Sequence, residues 1–162
     1  MSDFDAQELE LIQKALGYQF KNQTLIELAL THSSYRNEHQ EIDADNERLE
    51  FLGDSVLGAI ISHMLLERFS EQPEGVLTRY KAVLVSEQGL YRTAAALELG
   101  KYVRLGRGED RTGGRQKASV LSDTMEAVVA AVYLDGGYAA AQELVDRLYG
   151  KRLEEVRGAE LQ

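Results

Sequence analysis

At 162 residues the chain is long enough for one domain with a buried core, and 44% hydrophobic with 28% charged residues is a globular balance rather than a disordered one. The absence of cysteine excludes disulfides and thiolate metal sites, and no apolar run approaches the ~18 residues of a membrane span. The net charge of −9, taken alone, argues against a nucleic-acid partner. In chain order, the acidic start Met1-Ser2-Asp3-Phe4-Asp5 lacks the basic and apolar regions of a signal peptide, so a cytoplasmic location is expected. Leu9, Ile12 and Leu16 have helical spacing, with Gly17 as a C-cap. Asn22 caps a short helix carrying Leu25, Leu28 and Ala29, and polar residues 35–44 read as a loop. A long helix is predicted over about 45–69. Pro73 suits the first turn of the next helix, which carries Val76, Tyr80, Val83 and Leu84. Ser86 begins another, ending near Gly100, and Tyr102 to Leu105 looks short and extended. The four glycines of 106–114 predict a flexible loop. Helices over about 116–134 and 139–156 follow, separated by a stop at Gly136-Gly137. The chain is therefore read as all-α, in one domain without repeats.

The distribution of charge matters more than its sum. Residues 1–10 hold four acids and no base, and residues 37–54 hold seven acids and one Arg. Residues 101–117 hold six bases (Lys101, Arg104, Arg107, Arg111, Arg115, Lys117) against two acids. An acidic centre and a basic segment coexist if metal ions neutralise the first.

The most informative stretch is Asn46-Glu47-Arg48-Leu49-Glu50-Phe51-Leu52-Gly53-Asp54-Ser55. On a helix, Glu47 and Asp54 lie about 20° apart and Glu50 about 60° to one side. Three acids thus share one face of a helix that also carries Leu49, Phe51, Leu52, Val56 and Leu57. Like charges at these spacings weaken a helix, and a hard divalent cation offsets that cost. A second pair, Asp123 and Glu126 at i, i+3, sits among Val128, Val129, Ala130, Ala131 and Val132. Acids rarely occupy so apolar a helix unless paired or ligating. Two such helices meeting around a shared cation suit Mg²⁺, which takes oxygen ligands and often shares its site with substrate phosphates.

These residues carry a resemblance. The run Asn46 to Ser55, Asp123-Thr124-Met125-Glu126 and Lys81-Ala82-Val83-Leu84-Val85-Ser86 resemble the nuclease domain of bacterial ribonuclease III. The match extends from Leu16-Gly17-Tyr18 through Leu30-Thr31-His32-Ser33-Ser34 to Tyr133-Leu134-Asp135, essentially the whole chain. It implies an all-α homodimeric nuclease domain over residues 1–157, with 158–162 as a tail or truncated linker. It also implies a cytoplasmic Mg²⁺-dependent endoribonuclease (Mn²⁺ as a substitute) that cuts double-stranded RNA in rRNA and mRNA processing. Its products carry 5′-phosphates, 3′-hydroxyls and short 3′ overhangs.

By motif, Glu50, Asp54, Asp123 and Glu126 match the metal-binding carboxylates, with Asp54 and Glu126 catalytic and Glu126 the most critical. Glu47 and Glu74 match two further acids of the catalytic valley, and Phe51 an aromatic that plugs a socket on the partner subunit. RNA contacts are expected from Arg79 and Lys81 and from Arg107, Arg111, Arg115 and Lys117. The family's bacterial members normally carry a double-stranded-RNA-binding domain after the nuclease domain, where this sequence stops. The expectation is an excised domain or a natural short form, with weaker and more salt-sensitive RNA binding.

Bland readings stand beside these. The acids could form a solvated helix face or pair with bases, Glu74 could be an acid favoured by a helix N-terminus, Phe51 could be core, and the basic segment could be an ordinary loop. A calcium loop at Asp43-Ala44-Asp45 fails because Arg48 stands where glycine is required. His32, His39 and His63 show no paired ligand spacing. The rival functions are a non-catalytic RNA-binding or dimerising module and a phosphohydrolase for small phosphates. The first usually lacks signature acids, which are all present here, and the second needs a phosphate clamp for which no motif is visible.

Overall fold

The structure, a computed structural model, describes residues 4–159. Helix α1 (Ala6–Leu16) starts where Asp5 accepts a hydrogen bond from the Gln7 N–H and stops at Gly17, whose φ of +69° is the left-handed closure a glycine allows. Helix α2 (Gln23–Ala29) is capped by Asn22 as expected. The predicted loop at 35–44 is in part a further helix, α3 (Ser33–Glu38), capped by His32. Tyr35 and His39 stack with ring centroids 3.8 Å apart and close its end.

Helix α4 (Glu47–Arg68) is the long acid-bearing helix. It begins after Asp45, whose carboxylate accepts from the Glu47 N–H. By length and composition α4 could cross a membrane. Its Leu49, Val56, Leu57, Ile60, Ile61 and Leu65 are instead buried in the protein core. Pro73 sits just outside α5 (Glu74–Leu84) rather than inside its first turn. Helix α6 (Glu87–Ala96) is capped by Ser86 and ends before Gly100, because Glu98 turns left-handed at φ +54° ahead of a 3-10 turn at Leu99–Lys101.

Tyr102 to Leu105 does not build a strand: one isolated parallel bridge joins Thr31 to Arg104. The predicted flexible loop at 106–114 is a short helix, α7 (Arg107–Arg111), followed by a 3-10 turn at Gly114–Gln116. Arg115 holds this segment, donating to the Gly100 and Val103 carbonyls at 3.0 and 2.6 Å.

The two C-terminal helices form one run, α8 (Ala118–Ala159), bent at Gly137 with φ +86° and ψ 179°. It runs past the helix end expected near 156, and Glu160 to Gln162 lie outside the described residues. The first arm of α8 is the centre of the fold. Residues 127–132 are fully buried, and α4, α6, α2 and α5 all pack against this helix. A helix apolar on every side must be surrounded in this way. Among the described residues no strand forms, so the all-α reading holds.

At the bend, Asp135 accepts from the Tyr18 hydroxyl and the Lys21 and Asn22 N–H groups at 2.7–2.9 Å. Burial pushes its carboxyl up, but these bonds outweigh it and hold the pKa below the usual range. Gly137 occupies a region closed to residues with a Cβ. Gly137→Ala is expected to cost about 1–3 kcal/mol, read as a lowered midpoint in denaturant unfolding.

Candidate metal centre and active site

The acids predicted from the sequence converge where α4 meets the first arm of α8. One carboxylate oxygen from each of Glu50, Asp123 and Glu126 lies within 4.8 Å of the others. Glu126 is buried, with 8% of its surface exposed; Glu50 and Asp123 are half-buried, and Asp54 is exposed at the rim. Asp54 hydrogen-bonds to Glu126, and Glu50 to Asp123. The cluster opens into a cavity of about 600 Å³ lined by these four acids, Glu47, Phe51, His32, Ser33, Asn46 and Ser55.

The helices come this close because Gly53 faces the α8 backbone: a Cβ there would overlap the Glu126 carbonyl oxygen. The acids lie near the start of α8, where its wholly apolar middle gives way to surface.

Burial first, and then the neighbouring carboxylates, disfavour ionisation in the cluster. Burial, with the Asp54 hydrogen bond and charge and the charges of Glu50 and Asp123, pushes Glu126 up to about 8. Burial and Asp123, with smaller contributions from Glu47 and Asp54, push Glu50 up to about 7. Asp123 is raised chiefly by burial. At neutral pH the cluster holds protons that a cation of high charge density would displace. All four candidate ligands are oxygen donors, which matches a hard divalent ion.

The other predicted residues are placed unevenly. Glu47 lines the cavity. Glu74 is exposed at the start of α5, accepting from the Thr78 hydroxyl at 2.8 Å, and does not line it. Arg79 and Lys81 lie on α5, and Arg107 and Arg111 are exposed on α7. Arg115 is engaged with two backbone carbonyls and Asp110, and Lys117 pairs with Glu109 at 3.1 Å. Phe51 is 81% exposed. It borders an apolar hollow of about 800 Å³ lined in part by Leu25, Leu28, Leu52 and Leu134.

Sequence reasoning passed over His32, Ser33 and Ser55 as wall residues and Gly53 as the contact point. Their only signal was membership of the two motifs Leu30 to Ser34 and Asn46 to Ser55.

A family model described as Ribonuclease-III-like matches residues 22–153. Ribonuclease 3 of Syntrophotalea carbinolica is 47% identical over 146 residues, covering 90% of this chain and 63% of that protein. Ribonuclease 3 of Symbiobacterium thermophilum is 51% identical over 144 residues, covering 89% and 60%. The chain thus spans about three fifths of the length of the curated relatives it matches. Among solved structures, the nuclease domain of ribonuclease III from Campylobacter jejuni superposes with a TM-score of 0.82 at 36% identity, covering 88% of this chain and 96% of that one. That domain has a region involved in dimer formation. With the model matching most of its length, this chain belongs to the ribonuclease III-like family.

Proposed function

We propose that this chain is a Mg²⁺-dependent endoribonuclease domain that cuts double-stranded RNA as a homodimer. The observation that carries the reading is the convergence of Glu50, Asp123 and Glu126 within 4.8 Å in an open cavity, with Asp54 bonded to the buried Glu126. Mg²⁺, with Mn²⁺ as a substitute, is the cation this donor set suits. When bound, it supplies a lowered pKa for water and stabilisation of the oxygen leaving a phosphodiester.

The chain's own residues do the rest. Glu50, Asp54, Asp123 and Glu126 would hold the ion, with the buried carboxylate of Glu126 as the floor of that set. Asp54 and Glu126 are the catalytic pair. Glu47 adds negative charge at the rim, and Glu74 joins the valley as a more distant acid. No side chain serves as covalent nucleophile, and the expected ends are 5′-phosphate and 3′-hydroxyl with short 3′ overhangs.

Arg107 and Arg111 on α7, with Arg79 and Lys81 on α5, meet phosphates. Arg115 and Lys117 chiefly shape the segment that presents them. A-form RNA is read by shape, phosphates and 2′-hydroxyls, so little sequence preference is expected. Phe51 of each protomer enters the apolar hollow of a second copy, which removes an exposed aromatic from water. Structured rRNA and mRNA precursors in the cytoplasm are the substrates this reading assigns, and residues 1–157 are its nuclease domain.

The test offers the protein a long duplex and either strand alone, with Mg²⁺ at low salt. The reading expects the duplex to be cut to short products with 3′ overhangs while the single strands survive. Cutting of single strands alone would overturn it.

The raised pKa values predict how stability responds to pH. A carboxyl whose pKa is raised by folding favours the folded state below the unfolded value of about 4.5, and that contribution is lost as pH rises through the folded pKa. The metal-free protein should therefore lose stability from the Glu50 and Glu126 carboxyls between pH 5 and about 8. Mg²⁺ should restore it more at pH 8 than at pH 5. Melting curves at both pH values, with Mg²⁺ and with EDTA, would show the difference; an equal Mg²⁺ effect at both would count against the site.

A further inference from the structure

We infer that His32 presents a fixed N–H donor to the acid-lined cavity and holds a phosphate oxygen of the RNA strand beside the carboxylates. The inference rests on the reading above and adds a substrate contact to it.

The ring's tautomer follows from its partners. The Ser34 backbone N–H, which can only donate, points at His32 Nδ1 over 3.1 Å. The Ser34 hydroxyl, 2.8 Å from the same nitrogen, accepts from the Gly106 N–H at 2.9 Å and so turns its own proton toward Nδ1. Nδ1 therefore keeps its lone pair, and in the neutral ring the proton is on Nε2. His32 lines the cavity with Asp123 as a charged neighbour, and with Nδ1 engaged by the start of α3 we assign the donor role there to Nε2. The backbone is held as well, since the His32 N–H donates to the Arg104 carbonyl at 3.1 Å beside the Thr31–Arg104 bridge.

The cavity needs such a group. Apart from His32, its ionisable lining residues are acids, Glu47, Glu50, Asp54, Asp123 and Glu126. These repel a phosphate wherever a cation does not intervene. Of the polar neutral residues, Asn46 is buried with its amide donating to the Ala29 carbonyl at 3.0 Å, and the more exposed donors are His32, Ser33 and Ser55. His32 has its proton oriented by a chain of bonds, Gly106 N–H to Ser34 Oγ–H to Nδ1. That chain starts at the residue before helix α7, so the same segment that presents Arg107 and Arg111 also sets the ring.

Two substitutions separate a substrate contact from a helix cap. His32→Asn keeps an oxygen to cap α3, since Asn is among the best N-caps, but cannot reach where Nε2 stands. His32→Gln reaches that point with an amide N–H but gives up the cap. Cleavage of an RNA duplex is measured at saturating Mg²⁺, beside melting curves and ¹⁵N spectra of the ring. The expected result is an Nε2-protonated ring in the wild type, a His32→Asn protein that melts like wild type with kcat lowered about tenfold or more, and a His32→Gln protein that melts lower but regains part of kcat. A His32→Asn protein with wild-type kcat, or a neutral ring protonated on Nδ1, would overturn the inference while leaving the nuclease reading intact. A wild-type protein that does not cut duplex RNA would sink both.

Discussion

Glu126→Gln is expected to abolish cleavage of duplex RNA while leaving the fold in place. The side chain is the buried floor of the acid cluster, bonded to Asp54 and facing Glu50 and Asp123. In the metal-free protein its pKa of about 8 keeps it protonated at neutral pH. A neutral amide of the same size therefore imitates the resident state and preserves packing. The amide cannot supply the anionic oxygen a divalent cation needs. Several kcal/mol of transition-state stabilisation disappear with it, or about 10³-fold or more in rate.

Stability should move in the opposite direction. At pH 8 the metal-free variant should melt above wild type, by about 2–4 °C for each kcal/mol of buried charge and repulsion relieved. The difference should shrink toward pH 5, where the native carboxyl is protonated as well. Cleavage assays beside melting curves at the two pH values check both halves. An active variant would remove Glu126 from the site.

Gly53→Ala should be the most damaging change of a single methyl group. Gly53 lies in α4 opposite the α8 backbone, and a Cβ there overlaps the Glu126 carbonyl oxygen. Backbone cannot rotate aside as a side chain can. The two helices at the centre of the fold must separate, at a cost of about 3 kcal/mol or more. Glu50 and Asp54 ride on one of those helices, Asp123 and Glu126 on the other. Even a protein that stays folded should have its acids displaced by a good part of an ångström, and a 1 Å misplacement costs about 100-fold in rate. Denaturant unfolding and cleavage at saturating Mg²⁺ separate the two effects. Wild-type stability in the variant would show that the helices are not in backbone contact.

The helices with clear end signals were legible because their apolar spacing and caps agree: Asn22 and Ser86 cap α2 and α6, and Gly17 closes α1. The acids were legible for the opposite reason, since charges inside apolar helices contradict their surroundings unless something binds them. Helices α3 and α7 were not. The start of α3 is capped by His32, an unusual cap that propensity does not flag, and α7 lies among glycines that read as a loop until Arg115 is seen tying its flanks to Gly100 and Val103. That arginine illustrates the limit: sequence shows a positive charge near an acidic centre, and only the fold shows that backbone carbonyls engage it. His32 was overlooked because a lone histidine has no spacing to read. Its position depends on the contact between Thr31 and Arg104, 73 residues apart in the chain. The bend at Gly137 was located correctly, although a single residue rather than a loop makes the turn.

The carboxylates of α4 and α8 are proposed to hold the cation used to cut duplex RNA. Cleavage of a long RNA duplex at low salt, as Mg²⁺ is titrated from zero with excess EDTA as the blank, tests that assignment. The expected result is no cutting in EDTA and a rate that rises and saturates with Mg²⁺. Cutting at full rate in EDTA would contradict it.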